Sequence, residues 1–136
     1  MRRKERKEWN WQFRGFETPA SNRPVKDWIV NECPTDGRDD LVDILLYMKA
    51  RPQEEWDREH FRSLDDGISE IRFTGSGLTL RIYGYFGPSW FVQSYTFLVG
   101  NIKKVKNDVD AKRLAKSRRD QIEKREARVH DFVIQG

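Results

Sequence analysis

The stretch Leu78-Thr79-Leu80-Arg81-Ile82-Tyr83-Gly84-Tyr85-Phe86 decides the fold of this chain. Its apolar side chains recur at every second position, which is the period of a β-strand. Leu80 and Ile82 therefore face one side of a sheet, and Arg81 and Tyr83 face the other side. We predict a middle strand with Leu80 and Ile82 in the core and with Arg81 on the solvent-exposed face.

Two strand-like runs flank this stretch, at residues 67–73 and 90–99, and turns containing glycine separate the three runs. Turns of this length join antiparallel neighbours, so a meander is the simplest topology for the three strands. Alternation at residues 9–16 predicts one more strand near the start of the chain. The residues expected to face the core, besides Leu80 and Ile82, are Trp9, Trp11, Ile71, Phe73 and Phe97.

Three segments have the apolar spacing of helices, at residues 24–30, 39–50 and 108–127. Residues 34–37 separate the first two helices and contain Pro and Gly, which commonly end helices. Residues 53–66 are polar and predict a loop with one helical turn. The predicted order is β-α-α-β-β-β-α, an α+β fold with a small antiparallel sheet that is covered by helices.

The composition fits one small domain that spans residues 1–136. Cys33 is the only cysteine and the chain has two histidines, so we expect neither an internal disulfide nor an ordinary zinc site, and no cofactor. No apolar run approaches the roughly 20 residues of a membrane span, and no apolar signal segment follows the charged start. A cytoplasmic protein without membrane contact is therefore predicted.

The net charge of +4 is unevenly distributed along the chain. Residues 101–130 carry eleven Lys and Arg against five acidic residues, and the basic extension at residues 1–8 carries five against two. Basic charge beside aromatic residues favours a polyanionic partner, because phosphate binding releases counterions. A solvated helix face is an equally good explanation for the basic residues of the last helix.

One group of polar residues has the composition of a phosphate-binding site. Glu70 and Arg72 lie two positions apart and share a face of their strand, and an antiparallel hairpin brings Arg81 to the same face. The residues that follow the third strand of the meander are Asn101, Lys103, Lys104 and Lys106. Ordinary cross-strand salt bridges are the alternative explanation for Glu70, Arg72 and Arg81.

Several short stretches of the sequence resemble toxins of the RelE/ParE superfamily, most closely the HigB-like, phage Gp49-like branch. The stretches are residues 64–73, Leu80-Arg81-Ile82-Tyr83, Phe97 with Lys103-Lys104, and the basic helix that follows. Residues 24–29 are also similar to the opening of the first helix in that branch. The resemblance covers residues 9–126.

The resemblance implies a RelE-like α+β fold in which the helices pack on one face of the antiparallel sheet. It also implies a type II toxin that is neutralised by a small antitoxin, often a helix-turn-helix protein. It implies a ribosome-dependent mRNA endonuclease in which the ribose 2′-OH attacks phosphorus without a metal and cations offset the charge of the transition state. Arg81 matches the strand arginine at the scissile phosphate, Lys104 belongs to the basic pair beside it, and Glu70 is the candidate general base. The RNA-binding candidates are Arg72, Tyr83, Lys103, Lys106, Arg118 and Arg119.

Two other functions are compatible with the same resemblance. ParE-like members share the fold but inhibit DNA gyrase through protein contacts, and a phage-type relative keeps the fold and has neither activity. Several nuclease members place a His or a Tyr near the C-terminus, whereas residues 107–119 contain neither. The convergence of Glu70, Arg72 and Arg81 on one face favours RNA cleavage over these alternatives.

Overall fold

The computed structural model describes residues 8–102 and 108–133, which form one sheet with helices on both of its faces. In chain order the elements are β1 (Gln12–Glu17), α1 (Pro24–Asn31), α2 (Thr35–Lys49), a 3₁₀ turn (Gln53–Glu55), β2 (Phe61–Ser63), β3 (Ser69–Gly75), β4 (Leu78–Phe86), β5 (Ser94–Ile102), α3 (Val109–Glu123) and β6 (Arg128–Asp131). The predicted α+β class is confirmed. None of the helices in these residues is long and apolar enough to cross a membrane.

The strands of the described residues form a single sheet in the order β2-β3-β4-β5-β1-β6. Neighbouring strands run antiparallel, except for β1 and β5, which are parallel. The predicted meander is formed by β3, β4 and β5, and β4 has the predicted bounds. The turn between β3 and β4 has φ values of 51° at Ser76 and 74° at Gly77, which suit a two-residue hairpin between twisted strands.

The two edge strands, β2 and β6, are not predicted by the sequence pattern. β2 lies within the segment predicted as a loop, and β6 follows α3, which ends at Glu123 rather than near residue 127. Strands of three and four residues are too short to show a clear alternation, so their pairing depends on the strand beside them. β2 pairs with β3, and β6 pairs with β1.

α2 begins at Thr35 rather than at residue 39, and it includes Gly37, which the sequence placed in a break. Gly37 lies at a close contact between the backbones of α2 and β3. A Cβ atom at Gly75 of β3 would lie 2.5 Å from the backbone N and Cα of Gly37. No side chain fits at Gly75, so this position requires glycine. A Cβ atom at Gly37 would lie 2.7 Å from Cδ1 of Leu80 and 3.5 Å from the Cα of Gly75.

α1 and α2 cover one face of the sheet, where the larger core lies. Leu80 and Ile82 of β4 are fully buried there, as predicted. The other predicted core residues are also confirmed: Trp11, Ile71, Phe73 and Phe97 are buried, and Trp9 packs at the margin of the core.

α3 covers the opposite face of the sheet, so the prediction that the helices pack on one face is wrong. The small side chains of Ala111 and Ala115 and the side chain of Ile122 are buried against strands β4 and β5. Apolar residues of the strands complete this second core, among them Phe16, Ile68, Tyr83, Tyr85, Leu98 and Val99. Both faces of β4 are therefore covered by helices.

Replacing Gly75 with Ala should lower the free energy of unfolding by about 2 kcal/mol, because neither backbone can move aside to accept a methyl group. Urea unfolding followed by circular dichroism measures the change. Thr74→Ala, at the exposed neighbouring position of β3, is the control and should change the free energy by less than about 0.5 kcal/mol. Equal losses in the two variants would contradict the close contact between α2 and β3.

His130 is buried on β6 with its ring against β1. A Cβ atom at Gly15 would lie 2.4 Å from its Nε2, and Nε2 has no hydrogen-bond partner. Burial lowers the pKa of His130 below its usual value, and the cations Arg23 and Lys26 act in the same direction, although the contact with the Asp131 carbonyl opposes them. The folded state is therefore more stable when the imidazole of His130 is neutral than when it is protonated.

Protonation of His130 should destabilise the fold at mildly acidic pH. Because the pKa is lower in the folded state, the contribution of His130 is complete above the unfolded pKa of about 6.5 and is lost as the pH falls below it. We expect the free energy of unfolding to fall as the pH drops below about 6.5, and to fall less in His130→Gln. His60→Gln, at a more exposed histidine beside Asp57, should keep the full loss.

Candidate functional site

Two rows of polar side chains cross the sheet on the face that α3 covers. In the first row, Arg62 of β2 lies opposite Glu70 of β3, and Glu70 lies opposite Tyr83 of β4. In the second row, Arg72 lies opposite Arg81, and Arg81 lies opposite Asn101 of β5. We refer to these residues as the strand cluster: Arg62, Glu70, Arg72, Arg81, Tyr83 and Asn101.

Glu70 is the centre of the strand cluster. Its Oε1 accepts a hydrogen bond from Nε of Arg72 at 2.9 Å, and its Oε2 lies 3.6 Å from Nε of Arg81. Arg81 also donates from Nη1 to the hydroxyl of Tyr83 at 2.8 Å. The predicted convergence of Glu70, Arg72 and Arg81 is confirmed, and both carboxylate oxygens face a guanidinium.

The prediction that Arg81 lies on a solvent-exposed face is wrong. Glu70 and Arg81 are each only 3% exposed, and they lie on the face of the sheet against which α3 packs. Tyr83 is fully buried, and burial raises the pKa of its hydroxyl above the usual value, although the hydrogen bond from Arg81 opposes the shift. The ring of Tyr83 is therefore not open to a nucleic-acid base in this structure.

Two buried polar atoms in the strand cluster make no hydrogen bond: Oδ1 of Asn101, and Nε of Arg81, which has Oε2 of Glu70 3.6 Å away. Asn101 donates from Nδ2 to Asp108, and Asp108 caps the start of α3 by accepting from the backbone N–H of Ala111 at 2.9 Å. Buried polar groups without partners are rare and often mark a site for a missing partner. One is a donor and the other an acceptor, which suits a ligand that has both kinds of group.

Arg72 and Arg62 connect the strand cluster to solvent. The side chain of Arg72 is 24% exposed, and Arg62 is exposed at the edge of the sheet. The cluster contains three guanidinium groups and one carboxylate, so it has excess positive charge at a partly buried position. This composition suits an anion with several acceptor oxygens, such as a phosphate.

The other predicted RNA-binding residues do not join the strand cluster. Arg118 donates from Nη1 to the carbonyl of Leu98 at 2.7 Å, and its guanidinium lies 5.0 Å from the ring centre of Phe16. Arg119 donates to the carbonyl of Asp66 and lies beside Asp120. Both side chains hold α3 in place. The predicted residues Lys103, Lys104 and Lys106 lie outside the described residues.

Two residues at the site were missed by the sequence reasoning. Arg62 was missed because β2 was predicted as a loop, so nothing placed its side chain beside Glu70. Asp108 had a usable signal, because an aspartate directly before a helix is a frequent N-cap. Its contact with Asn101 depends on how α3 sits on the sheet and has no signal in the sequence.

Groups suited to other chemistry are few in the parts of the chain that the structure describes. Residues 8–102 and 108–133 contain no group of three or more His, Cys, Asp or Glu side chains placed to hold a metal ion. Burial raises the pKa of the Cys33 thiol to about 11, so little thiolate forms at neutral pH. Cys33 is therefore a poor nucleophile.

Comparison of the chain with models of protein families, with curated proteins and with solved structures gave no match. The functional argument therefore depends on the geometry of the strand cluster and on the residues that surround it.

Arg81→Ala should lower the free energy of unfolding by about 3 kcal/mol, because it leaves the carboxylate of Glu70 buried beside an empty space. Arg72→Ala should cost about 1 kcal/mol or less, since Arg72 reaches solvent. Urea unfolding measures both values. The double variant Glu70→Leu with Arg81→Met should recover part of the loss, because no unpaired charge remains. A stable Arg81→Ala variant would contradict the burial of this ion pair.

Proposed function

We propose that this chain is a toxin of the RelE/HigB kind that cleaves mRNA at the strand cluster. The observation that carries the proposal is the contact of Glu70 with two arginines, of which Arg81 is buried and Arg72 reaches solvent. Guanidinium groups fixed in this way offer several N–H donors to the oxygens of a phosphate. The proposal places the chemistry on the strands and gives α3 a supporting role.

Arg72 is the residue that contacts the scissile phosphate in this proposal. It is the partner of Glu70 that reaches solvent, so it can exchange the carboxylate for a phosphate oxygen. Arg81 lies deeper, beside Glu70 and Tyr83, and acts as a positioning residue. This assignment replaces the expectation that Arg81 itself touches the phosphate.

Glu70 accepts the proton of the attacking 2′-OH. When Arg72 turns to the phosphate, Oε1 of Glu70 loses its guanidinium partner and becomes a stronger base. The 2′-oxygen then bonds to phosphorus and the bond from phosphorus to the 5′-oxygen breaks, which gives a 2′,3′-cyclic phosphate. The arginine donors offset the charge on the phosphoryl oxygens as the transition state forms.

The leaving 5′-oxygen takes its proton from Lys104, a role assigned from the sequence because Lys104 lies outside the described residues. Lys103, Lys104 and Lys106 belong to the connection between β5 and α3, which Asp108 follows directly. Asp108 contacts Asn101 of the strand cluster. The proposal assigns Lys103 and Lys106 to the RNA backbone.

The proposed partners follow from the same function. The substrate is mRNA on the ribosome, and a small antitoxin, often a helix-turn-helix protein in such systems, neutralises the toxin.

Inhibition of a protein target such as DNA gyrase, as in ParE-like toxins, is a second candidate. The burial of Arg81 favours it, because a fully covered guanidinium needs no RNA partner to be stable. Arg118 and Arg119 favour it as well, since both are bonded to backbone carbonyls of the chain itself. An inactive relative of either kind would show neither activity.

The test is to induce the chain without its genetic neighbours and to map the 5′ ends of cellular mRNA. New 5′ ends should appear, and Arg72→Ala should reduce them about 100-fold while the protein stays folded, because the variant loses one charged donor to the transition state. Arg51→Ala removes another partly buried arginine, one that stacks on Tyr47 beyond α2, and should leave cleavage unchanged.

Cleavage at the parental level in Arg72→Ala would remove the strand cluster from the reaction. Growth inhibition with relaxed plasmid DNA and unchanged mRNA ends would support the second candidate instead. Normal growth at high expression of the parent would rule out both toxins.

A further inference from the structure

An exposed apolar segment lies in the loop between β4 and β5, at the opposite end of α3 from the strand cluster. Trp90, Phe91 and Val92 are 41%, 42% and 88% exposed. We refer to these three residues as the aromatic tip. Three consecutive exposed apolar residues are unfavourable on the surface of a small protein unless a partner covers them.

Hydrogen bonds hold the base of this loop, so the position of the aromatic tip is defined by the fold. The carbonyl of Gly87 accepts hydrogen bonds from the hydroxyls of Ser94 at 2.6 Å and Thr96 at 2.9 Å. The backbone N–H of Ser89 donates to Glu123 of α3 at 3.1 Å. Hydrogen bonds from both sides therefore fix the loop below the tip.

Each ring of the aromatic tip is paired with an arginine. The guanidinium of Arg125 lies 4.3 Å from the ring centre of Trp90, and that of Arg14 lies 4.1 Å from the ring centre of Phe91. The two rings are 6.2 Å apart and inclined at 48°, so they do not stack on each other. Each ring keeps a large open surface although a cation already covers part of it.

Arg125 adopts a backbone conformation that favours glycine. It follows the end of α3 with φ of 61°, and the chain closes there with hydrogen bonds from Arg125 N–H to the Ile122 carbonyl and from Glu126 N–H to the Gln121 carbonyl. Glycine is the usual residue at this position of such a helix end, because it adopts positive φ without strain. The chain instead carries an arginine at this position, and its side chain reaches Trp90.

We infer that the aromatic tip, together with Arg14 and Arg125, binds single-stranded RNA by stacking bases on Trp90 and Phe91. Single strands offer a flat base and a phosphate in every unit, and proteins bind them with aromatic rings for the bases and cations for the backbone. Arg125 is exposed and is the cation that can reach the RNA backbone, and the nearby Glu123 is occupied by Ser89 and Tyr85. The side chain of Arg14 is only 13% exposed, donates from Nη1 to the hydroxyl of Ser94 at 2.5 Å and lies 3.6 Å from Asp131, so its part is to hold the ring of Phe91. The inference rests on the proposed function for the choice of RNA as ligand, and it does not depend on cleavage.

The test measures binding of a fluorescent 12-nucleotide single-stranded 2′-O-methyl RNA by anisotropy. The methyl groups block attack by the 2′-oxygen, so binding is seen without cleavage. Trp90→Ala and Phe91→Ala should each weaken binding about tenfold and leave the slope of log affinity against log salt unchanged, because neither residue is charged. The same probe in a duplex should bind more weakly and should not respond to these substitutions.

Tyr47→Ala is the matched control. Tyr47 is also 42% exposed and has an arginine guanidinium, that of Arg51, 3.9 Å from its ring centre, but it lies on α2. This variant should bind the probe like the parent. Arg125→Gly gives a further readout: it should reduce the salt slope by about one contact and weaken binding, while the melting temperature stays equal or rises.

Parental affinity in the double variant Trp90→Ala/Phe91→Ala would overturn the inference, and so would an equal loss in Tyr47→Ala. Loss of self-association in the double variant with RNA binding intact would assign the tip to a protein contact. Loss of binding to anionic lipid vesicles with RNA binding intact would assign it to a membrane surface. Unaffected cleavage in Arg72→Ala removes the proposed active site but leaves the RNA-binding result for the tip unchanged, so the two proposals fail separately.

Discussion

The buried contact of Glu70 with Arg72 and Arg81 constrains the whole α3 face of the sheet. A carboxylate with 3% exposure is tolerable only if cations meet both of its oxygens, so Arg72 and Arg81 must keep their register on β3 and β4. α3 packs on this face, because the small side chains of Ala111 and Ala115 let the helix lie close to strands β4 and β5. The ion pairs of Glu70 and the register of the β3–β4 hairpin are therefore coupled.

Basic side chains of α3 make structural contacts within the chain, which the composition of the helix does not indicate. Lys116 lies 2.9 Å from Asp66, Arg119 donates to the Asp66 carbonyl, and Arg118 donates to the Leu98 carbonyl. These contacts fasten the helix to the sheet and to the loop before β3. The two proposed ligand sites lie at its ends, the strand cluster beside Asp108 and the aromatic tip beside Glu123. A helix of 15 residues is about 22 Å long, so an RNA strand that reached both sites would have to follow its length.

Prediction from the sequence worked where a segment is long and regular. β4 was predicted with its observed bounds, and the burial of Leu80 and Ile82 follows from alternation alone. Prediction failed for β2 and β6, because strands of three and four residues are too short to show a clear alternation of apolar and polar side chains. Since β2 was not predicted, Arg62 was not recognised as a neighbour of Glu70. Prediction also failed at Gly37, which was taken as a helix break although it lies in α2 where that helix touches Gly75. The sequence does not distinguish a glycine in a turn from a glycine at a close backbone contact. Here the contact partner, Gly75, lies 38 positions away from Gly37.

The sequence by itself determined which side chains share a face of the sheet. Strand geometry alternates from residue to residue, so Glu70, Arg72 and Arg81 had to meet once β3 and β4 formed a hairpin. Only the tertiary structure decided how deeply these groups are buried, because elements distant in sequence pack on this face, among them α3, which begins 28 positions after Arg81. The alternation of side chains along a strand assigns each residue to one of two faces. It does not show which face is exposed to water when helices can pack on both. That choice made Arg81 a buried partner of Glu70 and left Arg72 as the cation that reaches solvent.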